Sequence, residues 1–308
     1  MAIKTTLRNE AFLNEVQSGS PQLVKQAQER MTSMVRLMVR EGAVDRQVLV
    51  PEYITYSDLD RQVDTDVMVK IVDVEPNSPA AFSVGFGSAS PMFWIAARRV
   101  RATFNRIKTN EALYDVELLG TWEMDIQEVI ANNMIRDILA REDGGFFNAV
   151  NDFVGAADAI NSVTQSVTYA TIYGGYTRET LQEAAAVMLK SAYRLQPVTV
   201  VINTVTARRL MSLGREELGD DSAGRIFREG FSQWKFDNLN WVVTSKRHIV
   251  ADDEMYFFAD PRAVGKFYIL NDTTTHLTVD GHDLRFYSSQ TYSQVVVNVA
   301  GLAKVRFA

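Results

Sequence analysis

Two histidines and two aspartates lie close together in the stretch HLTVDGHDL, which runs from His276 to Leu284. Imidazole nitrogens and carboxylate oxygens are ligands of zinc and iron in proteins, so His276 and His282 could belong to a metal-dependent enzyme. Their spacing fits no familiar ligand pattern, and Asp280-Gly281 is typical of a hairpin turn. We therefore favour a hairpin with exposed polar side chains and keep the metal-dependent enzyme as an alternative.

Signatures of other catalytic sites are missing from the sequence. The 308 residues include no cysteine, which excludes Cys–His catalysis. His248 is followed by Asp252, but no serine stands in a nucleophile context, so a surface histidine near a turn is the favoured interpretation. The run GFGSAS (85–90) lacks the third glycine of a dinucleotide fingerprint. The sequence predicts no catalytic residue, no cofactor and no metal, and hence no enzyme.

Charged residues are separated by sign in the first third of the chain. Six acids and two bases lie between Asp58 and Glu75, whereas five bases and no acid lie between Arg98 and Lys108. The acids lack the glycine and terminal glutamate of a calcium loop, and the bases could line a nucleic-acid groove. We favour another interpretation, in which the two runs are facing strands whose opposite charges stabilise the pairing by about 0.2–1 kcal/mol per pair.

The link between these two runs has the turn residues of a loop but the apolar residues of a core. The strand candidates are 67–75 and 93–107, and a link of this length predicts a projecting hairpin rather than a tight turn. Many apolar side chains on a projecting tip predict an interaction site. The residues that we expect at the contact with another subunit come from the tip and the basic arm: Phe82, Val84, Phe86, Met92, Phe93, Trp94, Arg98, Arg99 and Arg101.

Helices with one apolar face are predicted before and after this hairpin in the sequence, and each needs another element to cover that face. Residues 1–19 are polar and weakly patterned, which predicts an extended arm, and Ser20-Pro21 then marks the start of an amphipathic helix. A longer helix is predicted from the N-cap Thr121 to Arg141, where Ile and Met recur every four residues. Gly144-Gly145 is expected to end or bend it.

Helices and short strands alternate from Thr177 to the end of the chain, so the fold class is α+β. A hydrophobic content of 46% is ordinary for a globular protein that buries its own core. The net charge of −6 indicates that the chain as a whole is not a polyanion binder. We see no apolar stretch long enough to span a bilayer, and the absence of cysteine fits a reducing cytoplasm.

The order of these elements resembles the major capsid proteins of tailed bacteriophages, whose fold is shared with encapsulins and the herpesvirus capsid floor. The passage RATFNRIKTNEALYDVELLGTWEMDIQEVIANNMIRDILAREDGGFF (101–147) is similar to that family's extended β-hairpin E-loop followed by its long spine helix. PVTVVINTVTARRLMSL (197–213) is similar to a strand and short helix of its axial (A) domain. NLNWVVTSKRHI (238–249) and MYFFADPRAV (255–264) are similar to its later pair of strands.

The resemblance implies a division of the chain into five segments. They are an N-terminal arm and helix (1–46), the E-loop hairpin with flanking strands (47–119), a peripheral (P) domain with the spine helix (120–176), an A domain (177–285), and C-terminal strands that return to the P domain (286–308). The hairpin tip would then be covered by a neighbouring subunit.

The resemblance also implies a structural role. The chain would be the major capsid protein of a tailed bacteriophage and would self-assemble as pentamers and hexamers into an icosahedral virion shell. That shell would enclose double-stranded DNA without sequence-specific contacts and would be assembled in the cytoplasm of a host bacterium, with portal, scaffolding and decoration proteins as further partners and no membrane. An encapsulin-type compartment that holds cargo enzymes is the alternative from the same fold.

Overall fold

The computed structural model describes residues 2–18, 20–61, 65–74, 98–119, 121–122, 124–159, 169–190, 195–211, 239–246, 249–280 and 282–308. The described helices are α1 (Ala2–Gln17), α2 (Pro21–Gly42), α3 (Asp45–Val48), α4 (Val116–Leu119), α5 (Ile126–Ala159), α6 (Arg178–Ala186), α7 (Thr204–Met211) and α8 (Pro261–Val264). The described strands are β1 (Pro51–Tyr53), β2 (Val69–Val74), β3 (Arg98–Thr103), β4 (Asn105–Lys108), β5 (Ala112–Asp115), β6 (Tyr169–Ile172), β7 (Thr199–Asn203), β8 (Asn240–Thr244), β9 (Glu254–Phe258), β10 (Gly265–Asp280), β11 (Asp283–Val296) and β12 (Leu302–Phe307).

The N-terminal segment is helical, so the prediction of an extended arm for residues 1–19 is wrong. Helix α1 buries one small apolar face against the first turns of α5 and the distal end of the β10–β11 hairpin. The side chains of this face are Phe12, Leu13 and Val16. Asn9 fixes the contact, because its side-chain amide donates to the carbonyl of Met124 at 2.7 Å and its oxygen accepts from the amide of Ile126 at 3.2 Å. Tertiary contacts of this kind, rather than periodicity, hold the helix.

Helix α5 is longer than predicted at its C-terminal end. It begins at Ile126 rather than directly after Thr121, and the carboxylate of Asp125 accepts from the amide of Glu128 at 3.2 Å. Gly144-Gly145 neither ends nor interrupts it. Each glycine costs about 1 kcal/mol relative to alanine in a helix. This cost is offset by the burial of apolar side chains beyond the glycines, among them Phe146, Phe147, Val150 and Val154.

Five strands form sheet I, in the order β1-β10-β11-β4, with β5 also pairing with β11. Its centre is the antiparallel β10–β11 hairpin, which pairs from Gly265↔Val296 to Asp280↔Asp283 and confirms the predicted turn at Asp280. Burial alternates in the distal part of the hairpin, over 273–280 of β10 and 283–290 of β11, as expected when one face packs on helices and the other faces solvent. Residues 267–270 and 290–293, nearer the base, are buried on both faces. The buried face, which carries Leu277, Leu284 and Phe286, packs against α1, α2 and the first half of α5.

Five further strands form sheet II, in the order β6-β12-β9-β7-β8. The sequence VTVVIN predicts a buried strand, and all five residues of β7 are buried. The largest hydrophobic cluster of the described chain lies on this sheet and includes the second half of α5. Edge-to-face contacts between Phe147 and Tyr256 (5.3 Å) and between Phe147 and Phe258 (6.4 Å) fasten the helix to β9. Helix α5 is therefore shared by the two sheets.

The five-segment division of the chain remains a prediction. The boundary predicted between residues 285 and 286 falls within β11, so the long hairpin crosses it. The strand β10, assigned by the prediction to the A domain, pairs with β1 and β11 in sheet I.

Candidate inter-subunit surface

The ends of the two charged runs that adjoin the hairpin tip lie on facing strands, as predicted, whereas Asp58, Asp60 and Asp66 precede β2, and Arg106 and Lys108 lie on β4 and pair with β11. Strands β2 and β3 pair antiparallel from Val69↔Thr103 to Val74↔Arg98. This register places Asp73 directly opposite Arg99, and the guanidinium Nε lies 3.0 Å from the carboxylate. Both side chains are largely exposed, so the pair sets the register of the hairpin more than it stabilises the fold.

One face of this hairpin is supported by its own chain. A small hydrophobic cluster joins Val72 and Ala102 of the hairpin to Tyr268, Leu270 and Val295 of sheet I. A two-stranded hairpin alone is marginal in water, and this cluster supplies the burial that it lacks.

The other face of the hairpin is open to solvent in the described part of the chain. Ile71 is 41% exposed, and Arg101 lies opposite it on β3 and is also exposed. An apolar side chain flanked by a base is typical of the rim of a protein contact. The described part of the hairpin therefore has one anchored face and one free face.

The tip of the hairpin lies outside the described residues, and so do the candidate contact residues that it carries: Phe82, Val84, Phe86, Met92, Phe93 and Trp94. Arg98 lies at the start of β3, but its side chain is likewise outside what the structure describes. Of the nine candidates, the structure places the side chains of Arg99 and Arg101, and it places both on the free face. The contact of the tip with another subunit stays a prediction.

A second polar arrangement, unlike the hairpin, is largely buried, with Lys246 and Gln294 partly exposed. We call it the buried charge cluster: Asp45, Arg46, Glu142, Asp143, Lys246, Gln290 and Gln294. Its three carboxylates have no exposed surface. Because it draws residues from α3, α5, β11 and the segment after β8, it ties sheet I and sheet II to the long helix.

Hydrogen bonds connect the carboxylates of the cluster to a guanidinium and to backbone amides. The Arg46 guanidinium meets Glu142 with two bonds, Nε to Oε1 at 2.6 Å and Nη2 to Oε2 at 3.1 Å. The Asp143 carboxylate accepts from the amides of Val44 (2.9 Å) and Asp45 (3.0 Å), and it also pairs with the Lys246 ammonium. Asp143 thus caps α3 and binds a cation at the same time.

Burial, and then the negative charges of Glu142 and Asp143, raise the pKa of Asp45 well above its usual range. Burial opposes the charge of Arg46, but the hydrogen bond and charge of Glu142 outweigh it and raise the pKa of the guanidinium. Three acids share two cations here, so the cluster is closest to neutral when one carboxyl, Asp45, holds a proton.

The sequence carried a signal for this cluster that the prediction missed. The four-residue repeat of α5, continued beyond Ile138, reaches Glu142 and then Phe146. A charged residue at a position that the repeat assigns to the core indicates a buried ion pair.

The two histidines of the metal-enzyme alternative do not share a site. His276 stacks on Tyr287 with ring centroids 4.6 Å apart, and burial together with Lys108 and Arg106 lowers its pKa. His282 is strongly exposed near the hairpin turn, 3.9 Å from Glu117. No group of three potential metal ligands occurs among the residues that the structure describes. His248 lies outside them.

Three solved structures resemble this fold over most of the chain. A structure from Microbacterium phage Oxtober96 is 12% identical with a TM-score of 0.60, covering 87% of this chain and 91% of its own. The capsid of cyanophage P-SCSP1u is 11% identical with a TM-score of 0.56, covering 87% and 88%. The virus-like particle from Pyrococcus furiosus is 12% identical with a TM-score of 0.53, covering 90% and 98%.

The likeness is one of fold rather than of sequence. No protein-family model and no curated protein matches the sequence. The described structure is an α+β chain with the fold of phage major capsid proteins, which confirms the fold predicted from the order of elements. Among the described helices, none combines the length and apolar character that a bilayer crossing requires.

Proposed function

We propose that this chain is the major capsid protein of a tailed bacteriophage, a structural subunit that assembles as pentamers and hexamers into an icosahedral shell around double-stranded DNA. The observation that carries the proposal is the agreement of the fold, over about nine-tenths of the chain, with the cyanophage capsid and the Pyrococcus virus-like particle. In such a role the chain binds copies of itself, and no catalysis is required.

The hairpin is the part of the molecule that supports this role best. Its base is anchored by the cluster around Tyr268, whereas Ile71 and Arg101 face away from the chain. The tip beyond Val74 is rich in aromatic residues. We infer that a neighbouring copy covers it, in a contact where one patch meets a different patch and rotation closes a ring.

DNA contact in the proposed shell would be nonspecific. A net charge of −6 disfavours tight binding of a polyanion, which suits a shell that encloses a genome without binding it strongly. Portal, scaffolding and decoration proteins would be further partners, and the virion would be the final location.

A protein compartment that holds cargo enzymes is the second candidate. It is favoured by one observation, the likeness to the Pyrococcus virus-like particle, which spans 98% of that chain. Shells of both kinds need the same contacts between copies, so the contents of the particles distinguish them: nucleic acid for the phage shell and protein for the compartment.

Expression of the chain, alone and with candidate scaffolding proteins, followed by negative-stain microscopy and size-exclusion chromatography, tests the proposal. We expect closed particles from the wild type. Replacing Phe82, Phe86 and Trp94 together by serine should leave folded subunits that form no particles, because the apolar area that a neighbour buries is lost. A matched control replaces the exposed Leu118, Met124 and Tyr173 of other surfaces. A wild type that stays a compact monomer under all conditions would overturn the proposal.

A further inference from the structure

The outward face of sheet I is an open surface with an unusual distribution of charge. Leu113 is 58% exposed, Thr278 and Asp280 are exposed, and Arg285 and Tyr287 are half-buried. The opposite face of the same strands is covered by helices. We call this surface the outer face.

The distal end of the outer face, at the turn of the long hairpin, is acidic. Asp280 pairs in register with Asp283, and Asp283 pairs with Asp115 on β5, so three carboxylates lie in one row across three strands. Like charges directly opposite one another destabilise a sheet. Arg285 reaches Asp280 at 3.4 Å, but Asp283 has no ion-pair partner among the described residues. Within the described chain, the row therefore has one ion-pair partner, Arg285, for three carboxylates.

The opposite end of the outer face is basic. Arg106 and Lys108 lie on β4, beside Thr291 and Ser289 of β11. Lys108 sits 3.8 Å over the ring of Tyr287 and 3.8 Å from Glu111, whereas Arg106 is exposed and makes no ion pair with any described residue.

The aromatic pair of His276 and Tyr287 lies midway between the two ends. Asp283 and Thr291 are each four residues from Tyr287 along β11, which places the ends about 27 Å apart at roughly 3.4 Å per residue. The face is therefore negative at one end, positive at the other, and aromatic at its centre.

We infer that the outer face is a two-fold contact surface between copies of this chain. The two-fold axis would run perpendicular to the strands, between the two outer faces, at the row of His276 and Tyr287. Rotation about this axis places the acidic end of one copy over the basic end of the other. The carboxylates of Asp115 and Asp283 in each copy then meet Arg106 of the other, and the two tyrosines meet at the axis. Such a contact is self-complementary, because the same patch serves on both sides.

The area of the outer face limits the affinity of this contact. Three strands about 4.8 Å apart over about 27 Å give roughly 400 Å² per copy, about half of what a standard interface buries on each partner. An isolated dimer would be weak, and the contact would act where many copies are held together. The inference therefore rests on the proposed shell function and adds a contact distinct from the hairpin contact.

Charge reversal at the two unpaired residues tests the inference. Asp283→Lys places a cation opposite Arg106 of the other copy, and Arg106→Glu places an anion opposite Asp115 and Asp283 of the other copy. Each change replaces two attractions by two repulsions, which should raise the protein concentration needed for particle assembly about tenfold. Mixing the two variants in equal amounts, or combining both changes in one chain, should restore assembly, because opposite ends then meet again. Circular dichroism establishes that each variant is folded.

Cross-linking locates the axis independently of assembly. The chain has no cysteine, so Tyr287→Cys places one thiol at the axis, and a short bismaleimide should join two copies through that position. Leu118→Cys, which is more exposed than position 287 but lies beyond the acidic end, should give no dimer. If the mixture assembles no better than its components and Tyr287→Cys forms no dimer, the inference is overturned even when wild-type shells form. If no shells form, the proposed function fails, and the cross-link in concentrated solution still decides whether the face pairs.

Discussion

Glu142 occupies a position in α5 that the helix repeat assigns to a hydrophobic residue. It lies four residues from Ile138 and four from Phe146, both of which are buried. Its charge is tolerated because Arg46 meets it with two hydrogen bonds and the Gln290 amide donates to Oε2 at 3.1 Å. Buried charges require partners of this quality, and losing one partner leaves the full desolvation cost of the other.

Asp45 should make the stability of the subunit depend on pH. Its pKa is raised in the folded chain, whereas an unfolded aspartate has a pKa of about 3.9, so the folded chain holds a proton that the unfolded chain releases. The Asp45 contribution is therefore fully present below about pH 4 and is lost as the pH rises towards the folded pKa. Asp45→Asn, which imitates the protonated form, should flatten the fall in unfolding temperature as the pH rises above about 4.

Asp58 offers the control for that measurement. Hydrogen bonds from the backbone and hydroxyl of Thr55 lower its pKa, so its contribution is lost on the acid side, as the pH falls through the folded pKa. Asp58→Asn should leave the slope above about pH 5 unchanged. An Asp45→Asn chain with the slope of the wild type would show that Asp45 does not carry the proton.

Removing one member of the Arg46–Glu142 pair should cost far more than removing both. Arg46→Met leaves Glu142 ionised and buried without its cation, which should lower the free energy of unfolding by about 3–5 kcal/mol. The double variant Arg46→Met with Glu142→Leu should recover most of that loss, because apolar side chains of similar volume then fill the space. Denaturant unfolding of the two single variants and the double variant measures the coupling. Additive losses would contradict an interaction between the two side chains.

The two halves of helix α5 are joined by two glycines, which have the lowest helix propensity of all its residues. Gly144-Gly145 follow the buried charge cluster directly, and the apolar contacts with sheet II begin at Phe146. The helix continues because tertiary packing outweighs local propensity.

Two glycines should respond in opposite ways to replacement by alanine. A methyl group at Gly144 would meet no atom within 4 Å, so Gly144→Ala should stabilise the helix by about 1 kcal/mol. A methyl group at Gly265 would lie 2.2 Å from the carbonyl oxygen of Val295, so Gly265→Ala should force β10 and β11 apart and destabilise the chain. Thermal unfolding of both variants tests the pair, and a Gly144→Ala chain less stable than the wild type would indicate that the glycines are needed for a bend in another state.

Elements with a strong local pattern were predictable from the sequence, and those held by distant contacts were not. The β2–β3 pairing, β7 and the long hairpin follow from charge runs, a continuous apolar run and turn chemistry. Helix α1 and the second half of α5 do not, because both depend on contacts far away in sequence. Asn9 and a few buried side chains hold α1 against the start of α5, and packing on sheet II stabilises the second half of α5. The same division holds for the candidate surfaces: the charged arms were visible in the sequence, whereas the outer face exists only once β4, β5 and β11 are adjacent.

Charged residues of the described chain serve two different ends, internal pairing and contact with other copies. The buried charge cluster links the two sheets to α5, and its carboxylates have their partners within the chain. The hairpin arms and the outer face carry charges that are partly unpaired within the described chain, where they can meet a second copy. Charges at such a rim affect the rate and register of association more than its final strength.

Arg101 allows that division to be tested on the assembled protein. It is exposed on the free face of the hairpin, opposite Ile71, and it makes no ion pair with any described residue. Arg101→Glu should therefore leave the unfolding temperature of the subunit unchanged but slow assembly, followed by light scattering, by about tenfold at low salt. The difference from the wild type should shrink as salt screens the charges, with a Debye length of about 10 Å at 0.1 M and about 3 Å at 1 M. Arg101→Lys, which keeps the charge, should assemble almost as the wild type does. Equal assembly rates for Arg101→Glu and Arg101→Lys at low salt would place the described arm of the hairpin outside the contact between copies.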